Sequence, residues 1–224
     1  MSLVKQLRAK PWLPLTDPGG ERRLIPQGEK RVALRFFLLM VTVFFSLFLV
    51  TFLSRSQYPD FQALAGQPWQ PLTDRSQLWF NSALLLCASI FLEVSKSRVR
   101  QQRLSQAVFW LALALLMSIQ FLFAQASIWQ QLNQLGFYST ANPANSFYYL
   151  LTGLHGIHLL GGMVVMIVAL LNVARHVDAK AFETSVSLCA TYWHYLLGLW
   201  LLLFALLSSS AETFRTIAVI CGYG

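Results

Sequence analysis

Residues 146–173 read SFYYLLTGLHGIHLLGGMVVMIVALLNV, a run without a single Asp, Glu, Lys or Arg. A hydrocarbon core of roughly 30 Å takes about 20 helical residues, so this run is long enough to cross a bilayer as one helix. It also carries His155 and His158, three positions apart. Imidazoles are costly in so apolar a setting unless something bonds them. One stretch therefore poses both the fold and the candidate site.

Upstream, the charge-free window continues back to Leu104 and is broken by QQLNQLGFYSTANPANS at 130–146, whose Gly, Pro, Asn and Ser read as a loop. Phe36–Ser54, Ser76–Leu92 and Thr184–Ala211 are further windows without charge. With 56% hydrophobic and 12% charged residues in 224, the composition is that of a membrane protein. The windows predict helices near 32–54, 75–96, 105–129, 146–173 and 184–210. The expected fold is an all-α integral membrane protein, a bundle of five transmembrane helices over 32–210. A tail at 1–31 precedes it and a tail at 211–224 follows.

Lysine and arginine set the expected orientation. Fourteen of the seventeen fall in the N-terminal region and the second and fourth loops, against Arg55, Arg75 and Arg215 on the other side. The positive-inside rule makes the N-terminal tail cytoplasmic and the C-terminal tail periplasmic. The net charge of +8 thus reads as topology. A nucleic-acid partner would need those cations on one folded surface, and none is expected. Cys87 and Cys189 lie inside spans as small apolar residues, and Cys221 lies in the outer tail. No cleavable signal peptide is expected, since about 30 charged and proline-containing residues precede the first apolar run.

Polar residues inside the spans fall on helical stripes. The fourth span places Leu151, His155, His158 and Gly162 on one face. The fifth places Ser187, Thr191, His194 and Gly198 together, and the third offers Gln120, Ala124, Ser127 and Gln131. Small and hydrogen-bonding residues along a stripe let membrane helices approach closely, so these stripes are expected to face protein and spans four and five to pack through them.

Three uses for the histidines follow. They could bond neighbouring helices. His158 and His194, both near mid-membrane depth, could be axial haem ligands of a stand-alone redox protein. They could belong to a relay or a small transporter, though Gly161-Gly162 is the only hint of a broken helix and five spans do not halve evenly. Di-iron sites and proton relays call for buried acids as well, and Glu93 is the sole acid within a span. It stands three residues before Lys96, where an interfacial ion pair accounts for it.

The stretch FYYLLTGLHGIHLLGG (147–162) resembles the signature of subunit III of the haem–copper terminal oxidases. YWHYLLGLWLLLF (192–204), with Trp193 beside His194 and Trp200 six positions after the histidine, is similar to that family's last helix. LWFNSALLL (78–86), containing Asn81 with Ser82 in place of Thr, and QASIW (125–129), containing Gln125 and Trp129, match more weakly but in the right order. The resemblance covers four of the five spans and fits the shorter, five-helix form, which lacks the first two of seven helices.

The resemblance implies a subunit without metal, haem or any catalytic or cofactor-binding residue. Such a subunit sits in a bacterial inner membrane beside oxidase subunits I and II, with a small subunit IV or a larger respiratory assembly as further partners. It binds phospholipid and sustains oxygen-reducing, proton-pumping turnover, while haem and copper reside in the partner subunits. A related complex such as nitric oxide reductase is the alternative host. The family's histidines at these positions lie inside the bundle, so His155, His158 and His194 are expected to be structural. The family's buried acids are replaced by Val41, Ile128 and Leu197, which puts proton handling by this chain in doubt.

Overall fold

The computed structural model describes residues 27–58, 60–65, 76–174 and 179–220. The expected N-terminal tail over 1–26 and Cys221 lie outside them. Among the described residues six helices follow one another: α1 (Gln27–Arg55), α2 (Ser76–Arg100), α3 (Leu104–Gln134), α4 (Pro143–Ala174), α5 (Ala179–Leu207) and α6 (Ala211–Ile220). Five of these, α1 to α5, are long and apolar enough to cross a membrane. All but α4 run one or more turns beyond their apolar windows at one end, because helix satisfies the backbone through the polar interface as well as the core.

The boundaries have local causes. α3 ends where Gly136 takes φ 84°, with Gly136 N–H donating to the Asn133 carbonyl (3.1 Å) and Phe137 N–H to that of Leu132 (2.9 Å). That pair of bonds is a Schellman motif, for which a left-handed glycine is best suited. α2 ends the same way without a glycine. Gln102 takes φ 60°, and the Gln102 and Arg103 N–H groups reach the Val99 and Arg98 carbonyls. α4 opens on Pro143, whose missing N–H costs nothing in a first turn, and Asn142 Oδ1 caps it by accepting from Ala144 N–H (3.2 Å).

α2 and α3 form the most intimate pair, and α5 lies against α2 and α4. Fully buried Ala88, Ala107 and Ala114 let the α2 and α3 backbones approach, and Ser95 donates across the pair to the Ala107 carbonyl (2.8 Å). α1 touches α4, α5 and α6 more sparingly. Its C-terminal end is held by rings: Phe52 meets Phe61, Phe147 and Phe214 edge-on at 5.3–5.5 Å. Phe214 comes from α6, a helix within the expected 211–224 tail. Ser210, whose carbonyl accepts from Phe214 N–H (3.2 Å) and whose hydroxyl meets Thr213, starts it. The start of α4 is tied to the loop after α1, since Asn142 Nδ2 donates to the Gln62 carbonyl (2.6 Å).

Candidate functional site: a neutral polar core between the spans

The interior polar residues join into short chains that bind one helix to the next. Asn81 on α2 donates to Gln125 on α3 (2.9 Å), and Gln125 donates to the Tyr148 hydroxyl on α4 (3.1 Å). All three are at most 4% exposed, so lipid cannot meet their needs. One turn on, Trp129 Nε1 donates to Thr152 (3.2 Å), whose own hydroxyl turns back to the Tyr148 carbonyl (2.6 Å). Gln125, Ser118 and Phe121 share the inward face of α3.

α5 closes this core with two indoles. Trp193 donates to Ser118 on α3 (3.1 Å) and Trp200 to Ser82 on α2 (2.9 Å). Each serine in turn donates to its own helix, to the Ala114 and Leu78 carbonyls. A buried indole N–H needs an acceptor, and a serine that has given its proton to its own helix offers only lone pairs. Ser118, Tyr148 and Thr152 were absent from the expected site. The signal that could have found them is the need of each Trp and Gln in a span for a polar residue at matching depth on another helix.

His155 is fully buried between the rings of Phe121 (6.0 Å) and Trp200 (5.4 Å), and neither ring nitrogen has a hydrogen-bond partner. His158 sits half-buried beside Phe37 and Phe45 of α1, its Nδ1 2.7 Å from the Leu154 carbonyl. Its main-chain carbonyl accepts from the Tyr192 hydroxyl of α5 (2.9 Å). Gly162 is where α4 and α5 come closest. A Cβ there would lie 2.5 Å from Trp193 Cζ3 and 2.7 Å from Tyr192 Cε1.

The expected stripe on α5 is corrected by this arrangement. Thr191, His194 and Gly198 face outward, and a Cβ on Gly198 would meet nothing within 4 Å. At 100° per residue, His194 points about 160° away from Tyr192, which meets α4. His158 and His194 are therefore not brought together as axial ligands. α5 turns Cys189, Trp193, Leu196, Trp200 and Leu203 inward instead, because these fill more volume and the indoles find acceptors there. α3 is corrected likewise: Gln120, Ser127 and Gln131 are exposed, while Phe121, Gln125, Ile128 and Leu132 are buried.

At the end of α2, Glu93 is exposed and paired with Lys96 at 2.8 Å, as its spacing suggested. Val41 and Ile128 are each 5% exposed, so two positions from which the family's acids are missing are interior. Among the described residues no group of three or more His, Cys, Asp and Glu could hold a metal ion.

Five spans around a core of neutral hydrogen bonds define a multi-pass helical membrane protein. The family model described as "Cytochrome c oxidase subunit III" matches residues 19–209, and the chain belongs to that family. The "Probable cytochrome c oxidase subunit 3" of Mycobacterium leprae is 25% identical over 166 residues, 73% of this chain and 79% of that protein. The Mycobacterium tuberculosis protein of the same description is 29% identical over 98 residues, 44% of this chain. The match spans only about half of that relative, 48% of its length. The Drosophila melanogaster "Cytochrome c oxidase subunit 3" is 27% identical over 173 residues, 75% of this chain and 64% of that one.

Proposed function

We propose that this chain is the five-helix subunit III of a bacterial respiratory haem–copper oxidase. It sits in the inner membrane with its N-terminus cytoplasmic and C-terminus periplasmic, beside the subunits that carry haem and copper. Its work is mechanical: it supports assembly of the catalytic subunit and keeps that subunit active through sustained turnover. The observation that carries this reading is the neutral core of Asn81, Gln125, Tyr148, Ser118 and the two indoles, which can hold helices in register but offers no carboxylate to move a proton. Phospholipid chains fit the apolar grooves where α1 stands off from the bundle. One of about 390 Å³ is lined by Phe37, Gly161, Gly162 and Tyr192, and another of about 330 Å³ by Val41, Phe44 and His158.

The test is to purify the tagged chain in mild detergent from its host and identify what accompanies it. Oxidase subunits should co-purify, with the reduced-minus-oxidised haem spectrum following them. Complex lacking this chain should start at a similar rate of oxygen consumption and decay faster during turnover. A chain that purifies alone with stoichiometric haem would refute the proposal. A reporter active only outside the membrane and fused at the C-terminus tests the orientation.

A further inference from the structure

The outward face of α5 carries a polar cluster that the described residues leave unserved. His194 lies fourteen residues from one end of the Lys180–Leu207 span and thirteen from the other, midway along it. It is exposed there, and its Nδ1 lies 2.5 Å from the Ala190 carbonyl of its own helix. A carbonyl only accepts, so Nδ1 carries the proton, and in the neutral ring Nε2 is left as an acceptor. No described residue bonds it. Thr191, on the same face, has already given its hydroxyl proton to the Ser187 carbonyl (3.1 Å) and likewise offers only lone pairs. Gly198, one turn on, has open space over its Cα.

Lipid tails cannot donate hydrogen bonds, and polar groups within spans face protein or water. The face is bounded on one side by Tyr195, which bonds Thr42 of α1 (2.9 Å), and on the other by Phe204, which packs on Trp79 of α2 (4.9 Å). No helix among the described residues fills the space between. We propose that it seats one transmembrane helix of another oxidase subunit, which presents a hydrogen-bond donor (a Ser, Thr, Tyr, Trp or Asn side chain) to His194 Nε2 and a bulky side chain over Gly198. The occupant is a protein helix, because the cluster asks for donors at mid-membrane depth, where a phospholipid has only tails. The inference rests on the reading of the chain as an oxidase subunit.

The test uses the intact complex in native membranes. A photo-crosslinking amino acid at Leu201, an exposed position two turns from His194 on the same face, should label a second subunit of the complex, located by mass spectrometry. Gly198→Leu should leave the chain itself folded, since nothing among the described residues lies within 4 Å of a Cβ there, yet lower recovery of the other subunits about 10-fold or more. His194→Leu should weaken assembly by about 3- to 20-fold, the span of measured intramembrane hydrogen bonds. Adducts only with lipid, or with a second copy of this chain, overturn the proposal, as does normal recovery of the Gly198→Leu complex. If wild-type chain co-purifies with oxidase subunits while Leu201 labels lipid alone, only the assignment of this face fails. If wild-type chain brings no oxidase subunit with it, the reading beneath it fails too.

Discussion

Gly162 is the position at which one added carbon should cost the most. A methyl at its Cα would lie 2.5 and 2.8 Å from Trp193 ring carbons and 2.7 Å from Tyr192. The indole cannot swing away cheaply, because Trp193 is fully buried and its Nε1 is held by Ser118. Tyr192 is anchored to the His158 carbonyl. Relief therefore requires α4 and α5 to separate by about an ångström. Overpacking of this kind costs about 1–3 kcal/mol, and weakening the Trp193–Ser118 bond adds about 0.6 kcal/mol or more. Gly162→Ala should then lose about 2–3 kcal/mol, offset by up to about 1 kcal/mol of helix propensity. Gly198→Ala is the matched control: it gains the same propensity and meets nothing. The assay is denaturant-induced unfolding of the purified chain in mixed micelles, followed by tryptophan fluorescence. A clear gap between the two variants is expected, with Gly162→Ala the less stable. Equal stabilities would refute the close α4–α5 contact.

Three further outcomes follow from the core and the loops. His155→Leu should leave stability unchanged or raise it by up to about 2 kcal/mol in the same assay, because it removes a buried imidazole with no partner; a loss above that size would reveal a bond that the ring makes. Gln125→Leu should cost about 1–3 kcal/mol, since it strands the Asn81 amide and the Tyr148 hydroxyl together. Asp60 in the loop after α1 has its pKa pulled below the ordinary 3.8 by hydrogen bonds from Arg55. A depressed carboxylate supports the fold above its unfolded pKa and is lost as pH falls through the lower folded value. The hydrogen-exchange protection of the Tyr58 and Asp60 amides, corrected for the intrinsic pH dependence of exchange, should therefore be unchanged from neutral pH down to about 5 and fall only in stronger acid. Asp60→Asn should show the lowered protection at all pH.

The number of spans and their rough positions were legible because a bilayer demands long runs without charge, a property of the chain and not of its packing. The pairing of Glu93 with Lys96 was legible because it needs only i, i+3 spacing on one helix. The signatures around His155 and Trp193 were legible as resemblance. Helix α6 carried a local signal, a serine before an Ala-Glu-Thr-Phe turn, but its reason for existing is the ring of Phe214 against Phe52, a contact between distant segments. What the sequence could not decide was which face of α5 turns inward. In water the apolar stripe of a helix marks its buried side. In lipid the outside is as apolar as the core, so hydrophobic contrast carries no such mark. Ser187, Thr191, His194 and Gly198 made as good a packing stripe on paper as Val186, Trp193 and Trp200. The tertiary structure chose the second, because only there do two indoles find acceptors on Ser118 and Ser82 and fill the space between four helices. That choice turns His194 outward, away from the indoles.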